Sequence, residues 1–274
     1  MRILLTNDDG IDSVGLHVLA RAMRRHGEVV IAAPDTEYSG ASAAIGALWQ
    51  MQPEIQRRTV EGIDEAWAVT GPPALCVMFA RMGAFGEPFD LVVSGINPGA
   101  NVGRSVYHSG TVGAAVTGRI GGIHGIAISQ AVDSWGVEGQ GWDEMLERQK
   151  WHSAAQVADI VVEGFIADPP SEPAALNVNV PNVEFEDIKG WRRAEVATMP
   201  PRAMARADLE PKQGHDGTYK VKMSWGETLD IPVETDSGAI MADEVSITWL
   251  SRVTGEQPTV GLGAEAAIAT ALDR

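Results

Sequence analysis

Two carboxylates stand side by side in the opening stretch MRILLTNDDG, Asp8 and Asp9, separated by two residues from an apolar run from Ile3 to Leu5. Adjacent like charges repel, and the end of a buried strand is a costly place for both. A hard divalent cation removes the conflict, because it takes several oxygen ligands and neutralises the pair. Neutral oxygens from Ser39 and Asn97 would complete four protein ligands with Asp8 and Asp9, leaving positions for water and substrate. Magnesium or manganese suits such a set. Zinc suits it less, since neither Cys76 nor any His pair stands at ligand spacing. The competing reading is an ordinary turn, with Asp12 or Ser13 capping the helix that follows.

A second arrangement suits anions. Ser109-Gly110-Thr111 precedes a predicted helix, whose unpaired N–H groups and positive dipole end attract phosphate. Nearby glycines let the backbone approach a ligand closely. Ser and Thr there also serve as plain helix caps, and the run matches neither the phosphate loop of NTPases nor a dinucleotide fingerprint. His108, one residue earlier, carries an imidazole suited to general acid work; its plainer reading is a loop histidine that hydrogen-bonds locally. Trp49 has a ring that would stack on a base or pack in a core. Cys76, inside PPALCVMFA, reads as a core helix residue.

These residues are far apart in the chain, so the elements between them must bring them together. The pattern predicts a strand over 2–7, a helix over 14–26 and a strand over 28–33 stopped by Pro34. A helix opens at Pro72, a strand starts at Asp90, a small-residue helix at Thr111 and another strand at Gly125. Alternation of this kind predicts an α/β fold: a mostly parallel sheet with helices on both faces and right-handed crossovers. Residues 131–144 read as an irregular excursion, 149–167 as a long helix and 176–181 as a strand. Further strands over 191–225 and 244–250 suggest a smaller, partly antiparallel region, and the last ten residues a short helix. In such a sheet ligands sit beyond the carboxyl ends of the strands. NDDG, APDTEYSGAS and GINPGANVGRSVYHSGTVG are the loops at those ends, and all are rich in oxygen donors.

Bulk properties narrow the field. The chain has 274 residues and is 45% hydrophobic, enough for one large core or two modest ones. A formal charge of −16 repels nucleic-acid backbone and acidic membrane surfaces, and no basic patch offsets it. Arg21, Arg24 and Arg25 read as the solvated face of a helix. One cysteine forms no intrachain disulfide, the short run after Arg2 is no secretory signal, and no later run reaches membrane-spanning length. The expected location is the cytoplasm, with no nucleic-acid or membrane partner.

Taken together the motifs become specific. NDDGID, APD with SGAS, VSGINPGANVG leading to SGTVGAA, GPPALCV, LNVNVPN with KGW, and TDSGAIMADEVSIT occur in order along nearly the whole chain. This set closely resembles the SurE family, the survival-protein nucleotidases. The resemblance implies a phosphatase acting on nucleoside 5′- and 3′-monophosphates with one divalent metal ion, magnesium or manganese. It implies metal ligation by Asp8, Asp9, Ser39 and Asn97, catalysis around Asp8 and Asp9, and phosphate contacts from Gly40, Asn101, Ser109, Gly110 and Thr111. It also implies one domain over 1–274: a Rossmann-like core at 1–135 carrying the metal site, and 136–274 completing the sheet and adding a β-rich oligomerisation region. A homodimer or homotetramer would follow. Three positions depart from the family pattern: Thr36 replaces an Arg, Leu75 an Asp and His108 a Tyr. Two rival functions remain: a noncatalytic metal or nucleotide sensor, and a phosphatase that forms an aspartyl-phosphate. The latter usually separates its carboxylates by one residue and adds a lysine.

Overall fold

In this computed structural model, residues 1–46, 50, 52–133, 146–199, 204–227, 229–251 and 263–272 are described. The strands are β1 (Arg2–Thr6), β2 (Glu28–Pro34), β3 (Ile55–Val60), β4 (Ile63–Val69), β5 (Leu91–Pro98) and β6 (His124–Gln130). They continue with β7 (Ala175–Val180), β8 (Gly190–Arg193), β9 (Met204–Pro211), β10 (Tyr219–Trp225) and β11 (Glu244–Leu250). The helices are α1 (Val14–Met23), α2 (Pro73–Arg81), α3 (Gly110–Ile120), α4 (Trp151–Ala167), α5 (Asp236–Met241) and α6 (Gly263–Leu272).

One nine-stranded sheet runs in the order β3-β4-β2-β1-β5-β6-β7-β11-β8. The six strands from β4 to β7 in that order are parallel; β3 and β11 join antiparallel, and β8 lies parallel to β11. Strand order reverses between β1 and β5, so the loops leaving them diverge and open a crevice at their carboxyl ends. Ile3, Leu4 and Leu5 are all 0% exposed, which is why β1 reads as an unbroken apolar run rather than an alternation. Ile3, Leu5, Ile31, Ile128 and Val178 face α1 and α4. Leu4, Val30, Val92 and Cys76 belong to the opposite layer, with α2 and Ala114 of α3. Each fully buried aliphatic contributes about 1.5 to 3 kcal/mol of transfer free energy.

Several boundaries differ from expectation. α1 stops at Met23 rather than His26, because residues 24–26 form the turn into Gly27. α4 begins at Trp151, after Gln149 closes a turn by donating its N–H to the carbonyl of Leu146. β3 and β4 form an unforeseen hairpin at the sheet edge, and α5 is an unforeseen short helix. The excursion expected at 131–144 lies outside the described residues beyond Asp133. No described helix is long and apolar enough to cross a membrane.

Candidate active site

At the end of β1 the Asn7 side chain turns the chain, donating from Nδ2 to the Gly10 carbonyl at 3.0 Å and to Ser13 Oγ at 2.7 Å. Ser13 caps α1 by accepting the Leu16 N–H. Asp12 does not cap; it forms an ion pair with Arg58 of β3 at 2.8 Å. Asp8 points across the crevice to the start of α3. Its Oδ2 accepts the Gly110 N–H at 3.1 Å, and its Oδ1 accepts the Thr111 hydroxyl at 2.5 Å. Ser109 caps the same helix by accepting the Val112 N–H at 3.0 Å. The positive helix end that the sequence offers to an external anion is thus engaged, at Gly110 and Thr111, by the protein's own carboxylate. Burial pushes the Asp8 carboxyl up, and the bonds from Thr111 and Gly110 pull it back.

Asp9 lacks that support. Its Oδ2 is buried without a hydrogen-bond partner. Burial, then the charges of Asp8 and Glu37, push its carboxyl up to about 8. An orphaned carboxylate oxygen beside a second carboxylate is a costly arrangement unless a counter-charge completes it. The donors are all oxygen, which fits a hard divalent cation. Among the described residues no group of three or more His, Cys, Asp or Glu is placed to hold a metal, so an ion here must lean on neutral oxygens as well.

Those neutral oxygens come from the neighbouring loops, which are stitched to β1 and to each other. The Tyr38 N–H donates to the Asp8 carbonyl at 2.7 Å, and the Ser42 N–H to the His108 carbonyl at 3.0 Å. Ser39 is exposed, and its hydroxyl donates to Glu37 at 2.7 Å, leaving its lone pairs as acceptors. Asn97 commits Nδ2 to the Gly99 carbonyl at 2.6 Å, leaving Oδ1 as its acceptor. Gly40 has a φ of 82°, in the left-handed region, with open space where a side chain would stand. Asn101 is nearly buried, and its Nδ2 donates to Ser129 Oγ at 2.9 Å. His108 is exposed and ends a short 3-10 turn over Gly103–Tyr107. Trp49 lies outside the described residues.

The loop after β2 rests directly on α3. A Cβ on Gly113 would stand 2.2 Å from the Ser42 carbonyl oxygen. Gly113→Ala is therefore expected to lift residues 39–43 off the helix and cost about 1 to 3 kcal/mol, read as a lower midpoint in urea denaturation.

A cleft of about 370 Å³ opens beside Asp9, with Asp35, Thr36, Pro98 and Trp151 in its walls. Thr36 therefore stands at the site's edge, whereas Leu75 is fully buried in α2, against Gly71. Glu37 and Trp151 were not singled out by sequence; the only signal was Glu37's place two residues before Ser39.

The chain matches the family described as Survival protein SurE over residues 3–202. Two curated proteins named 5′-nucleotidase SurE, from Xanthomonas campestris pv. campestris strains B100 and 8004, are each 34% identical over 249 residues, covering 90% of this chain and 88% of theirs. A solved structure, titled Crystal Structure of Sure Protein from Aquifex aeolicus, aligns with a TM-score of 0.73 and 28% identity, covering 99% of both chains. A match through most of the length, carrying the same fold, leads to one conclusion: the chain belongs to the SurE family.

Proposed function

We propose that this protein is a divalent-metal-dependent phosphomonoesterase that hydrolyses nucleoside 5′-monophosphates, and 3′-monophosphates as well. The activity in the names of its relatives supports a 5′-nucleotidase. The observation that carries the metal dependence is the unpartnered Oδ2 of Asp9 beside Asp8 at the strand-reversal crevice. Asp8, Asp9, Ser39 and Asn97 would hold one magnesium or manganese ion. When bound, such an ion supplies charge neutralisation to the phosphoryl group and a water acidified towards neutral pH.

The chain's own residues do the rest. Thr111 and Gly110 fix Asp8, so its geometry does not depend on the substrate. Asp9 orients the attacking water and receives its proton. Gly40, Asn101, Ser109, Gly110 and Thr111 surround the phosphate; with Gly110 and Thr111 committed to Asp8, and the Asn101 N–H and one Nδ2 hydrogen committed to Asn179 and Ser129, direct donation falls to the second Asn101 Nδ2 hydrogen, the Ser109 hydroxyl and the loop around Gly40. His108 gives a proton to the departing nucleoside oxygen.

Residues 1–135 form the Rossmann-like core with the metal site, and 136–274 complete the sheet and supply an oligomer interface. The hairpin of β9 and β10 supports this. It forms its own two-stranded sheet and leaves Leu209, Val221 and Met223 exposed. A homodimer or homotetramer would cover them. With one cysteine, Cys76, buried and free, the reading places the protein in the cytoplasm.

The test is phosphate release from a panel of nucleoside monophosphates after chelation, then after readdition of manganese or magnesium. Release that vanishes on chelation and returns with metal is expected, and a His108→Gln arm should lower kcat by about 10²-fold with manganese affinity unchanged. A folded, metal-binding protein that releases phosphate from no substrate would leave a sensor in its place.

A further inference from the structure

The strand LNVNV carries two asparagines, Asn177 and Asn179, in the interior of the sheet. Both are 0% exposed. Leu176, Val178 and Val180 of the same strand enter the apolar layer under α1 and α4, so the asparagines face the other way. Across the sheet Asn179 lies beside Ser129 of β6 and Ser246 of β11, and Asn177 beside Thr248. Polar side chains inside a sheet need a reason, since apolar ones would pack there at no hydrogen-bonding cost.

Their bonds supply the reason. Asn179 Oδ1 accepts the main-chain N–H of Asn101 at 2.7 Å, and Asn179 Nδ2 donates to the Asn101 carbonyl at 3.3 Å. Asn177 Nδ2 donates to the same carbonyl at 2.8 Å. Ser129 accepts from the Asn101 side chain. Every one of these bonds converges on a residue of the phosphate-side loop. The arrangement is not tuned for stability, because Asn177 Oδ1 is buried with no hydrogen-bond partner. A side chain kept at the cost of an orphaned oxygen is expected where position outranks stability.

The geometry points to Asn177 and Asn179 as positioning residues that clamp Asn101, and with it the loop that receives the substrate's phosphate. They touch no substrate and act through Asn101 alone. The inference rests on the phosphatase reading for its kinetic consequence, but the clamp itself is a property of the loop and is measurable without catalysis.

The experiment compares native protein with Asn179→Leu and Asn177→Leu. Hydrogen–deuterium exchange of peptides covering 99–108 is measured without metal or substrate, alongside manganese affinity, orthophosphate affinity of the manganese-loaded protein, steady-state kinetics and thermal midpoint. Exchange in 99–108 should rise about tenfold or more in Asn179→Leu, with α1 and α4 peptides unchanged. Orthophosphate affinity should fall about tenfold and KM rise in step, while manganese affinity holds; about tenfold is the scale on which supporting residues act.

Asn177→Leu removes the orphaned oxygen with the amide, so its midpoint should equal or exceed the native one while the loop loosens and KM rises. Should Asn179→Leu fail to fold, Asn177→Leu decides alone. Unchanged loop exchange in a folded variant overturns the clamp, as does a fall in midpoint for Asn177→Leu with KM unchanged. If native protein neither binds orthophosphate nor releases it, the phosphatase reading falls, and loop exchange still judges the clamp.

Discussion

Asp9→Asn is expected to lower phosphate release by about 10³-fold, the scale of losing one preorganised charge at a phosphoryl centre. The substitution keeps the shape of the side chain and removes its charge. Its second consequence runs the other way. The folded-state pKa of Asp9, about 8, lies above its ordinary value of 3.8, so in metal-free protein the group contributes stability at low pH that is lost as pH rises between those values. At pH 9 both folded and unfolded chains carry the charge, and the fold bears the full repulsion. Asparagine relieves it. Discounting for the solvent that reaches Asp9, the metal-free variant should be more stable than the native chain by on the order of 2 kcal/mol at pH 9, and by little at pH 4. Manganese should reverse the ranking: a ligand at 100 times its Kd adds about 2.7 kcal/mol to the chain that binds it. Thermal melts with chelator and with manganese, at both pH values, check this. A variant that is less stable than native in chelator at pH 9 would sink the orphaned-carboxylate argument.

Gly110→Ala is the second substitution with a large expected effect, and there two forces oppose each other. Gly110 is the first residue of α3, where alanine is the better helix former by up to about 1 kcal/mol. A Cβ at that position would stand 2.8 Å from Asp8 Cβ and 2.9 Å from Asp8 Oδ2, so the carboxylate must move. The displaced Asp8 also loses the short bond from Thr111. Stability and activity should therefore separate: the midpoint stays within a few degrees of native, while kcat/KM falls about 10²-fold, the cost of a displacement near 1 Å in a catalytic group. Thermal melting and steady-state kinetics on the same preparation test it. A loss of activity that only follows a loss of folded protein would mean that Gly110 serves the helix and not Asp8.

The parallel core of the fold was legible because its strands are buried on both faces. ILL in β1, VVIAA in β2 and LVV in β5 are runs that few other elements would carry, and Pro34 and the Pro72-Pro73 pair that opens α2 punctuate them. The β3–β4 hairpin was not legible for the opposite reason. IQRRTV is exposed along most of its length, and its arginines meet solvent or acidic partners, so no apolar period marks it. Asp8, Asp9, Ser39 and Asn97 were singled out by oxygen chemistry at strand ends, which reads locally, whereas Gly40 and Asn101 came only with the family resemblance. What lies behind them did not read locally. Asn177 and Asn179 look like the polar half of an ordinary alternating strand, and only the sheet order shows that both faces are buried. Asp236 is the same kind of case: fully buried at the start of α5, it accepts the N–H groups of Gly103 and Ala197, partners distant in sequence. The role of the α3 start was half legible. Its pull on anions follows from the helix, but the identity of the anion, Asp8, follows from the fold.

The loop that follows β5 is tied down at alternate residues. The Gly99 N–H reaches the Gln130 carbonyl at 2.7 Å, Asn101 is held by the β7 asparagines, and the Gly103 N–H reaches Asp236 at 3.0 Å. Between the anchors Val102 turns the other way, into a small apolar cluster with Ala131 and Ile240. A segment anchored with this two-residue rhythm tolerates a change of letter far better than a change of length. One residue inserted between Gly99 and Gly103 would turn each later anchor to the wrong side and set Val102's successor against the polar row. Among divergent copies of this chain, the spacing from Asn97 to Ser109 should therefore outlast much of the sequence that fills it.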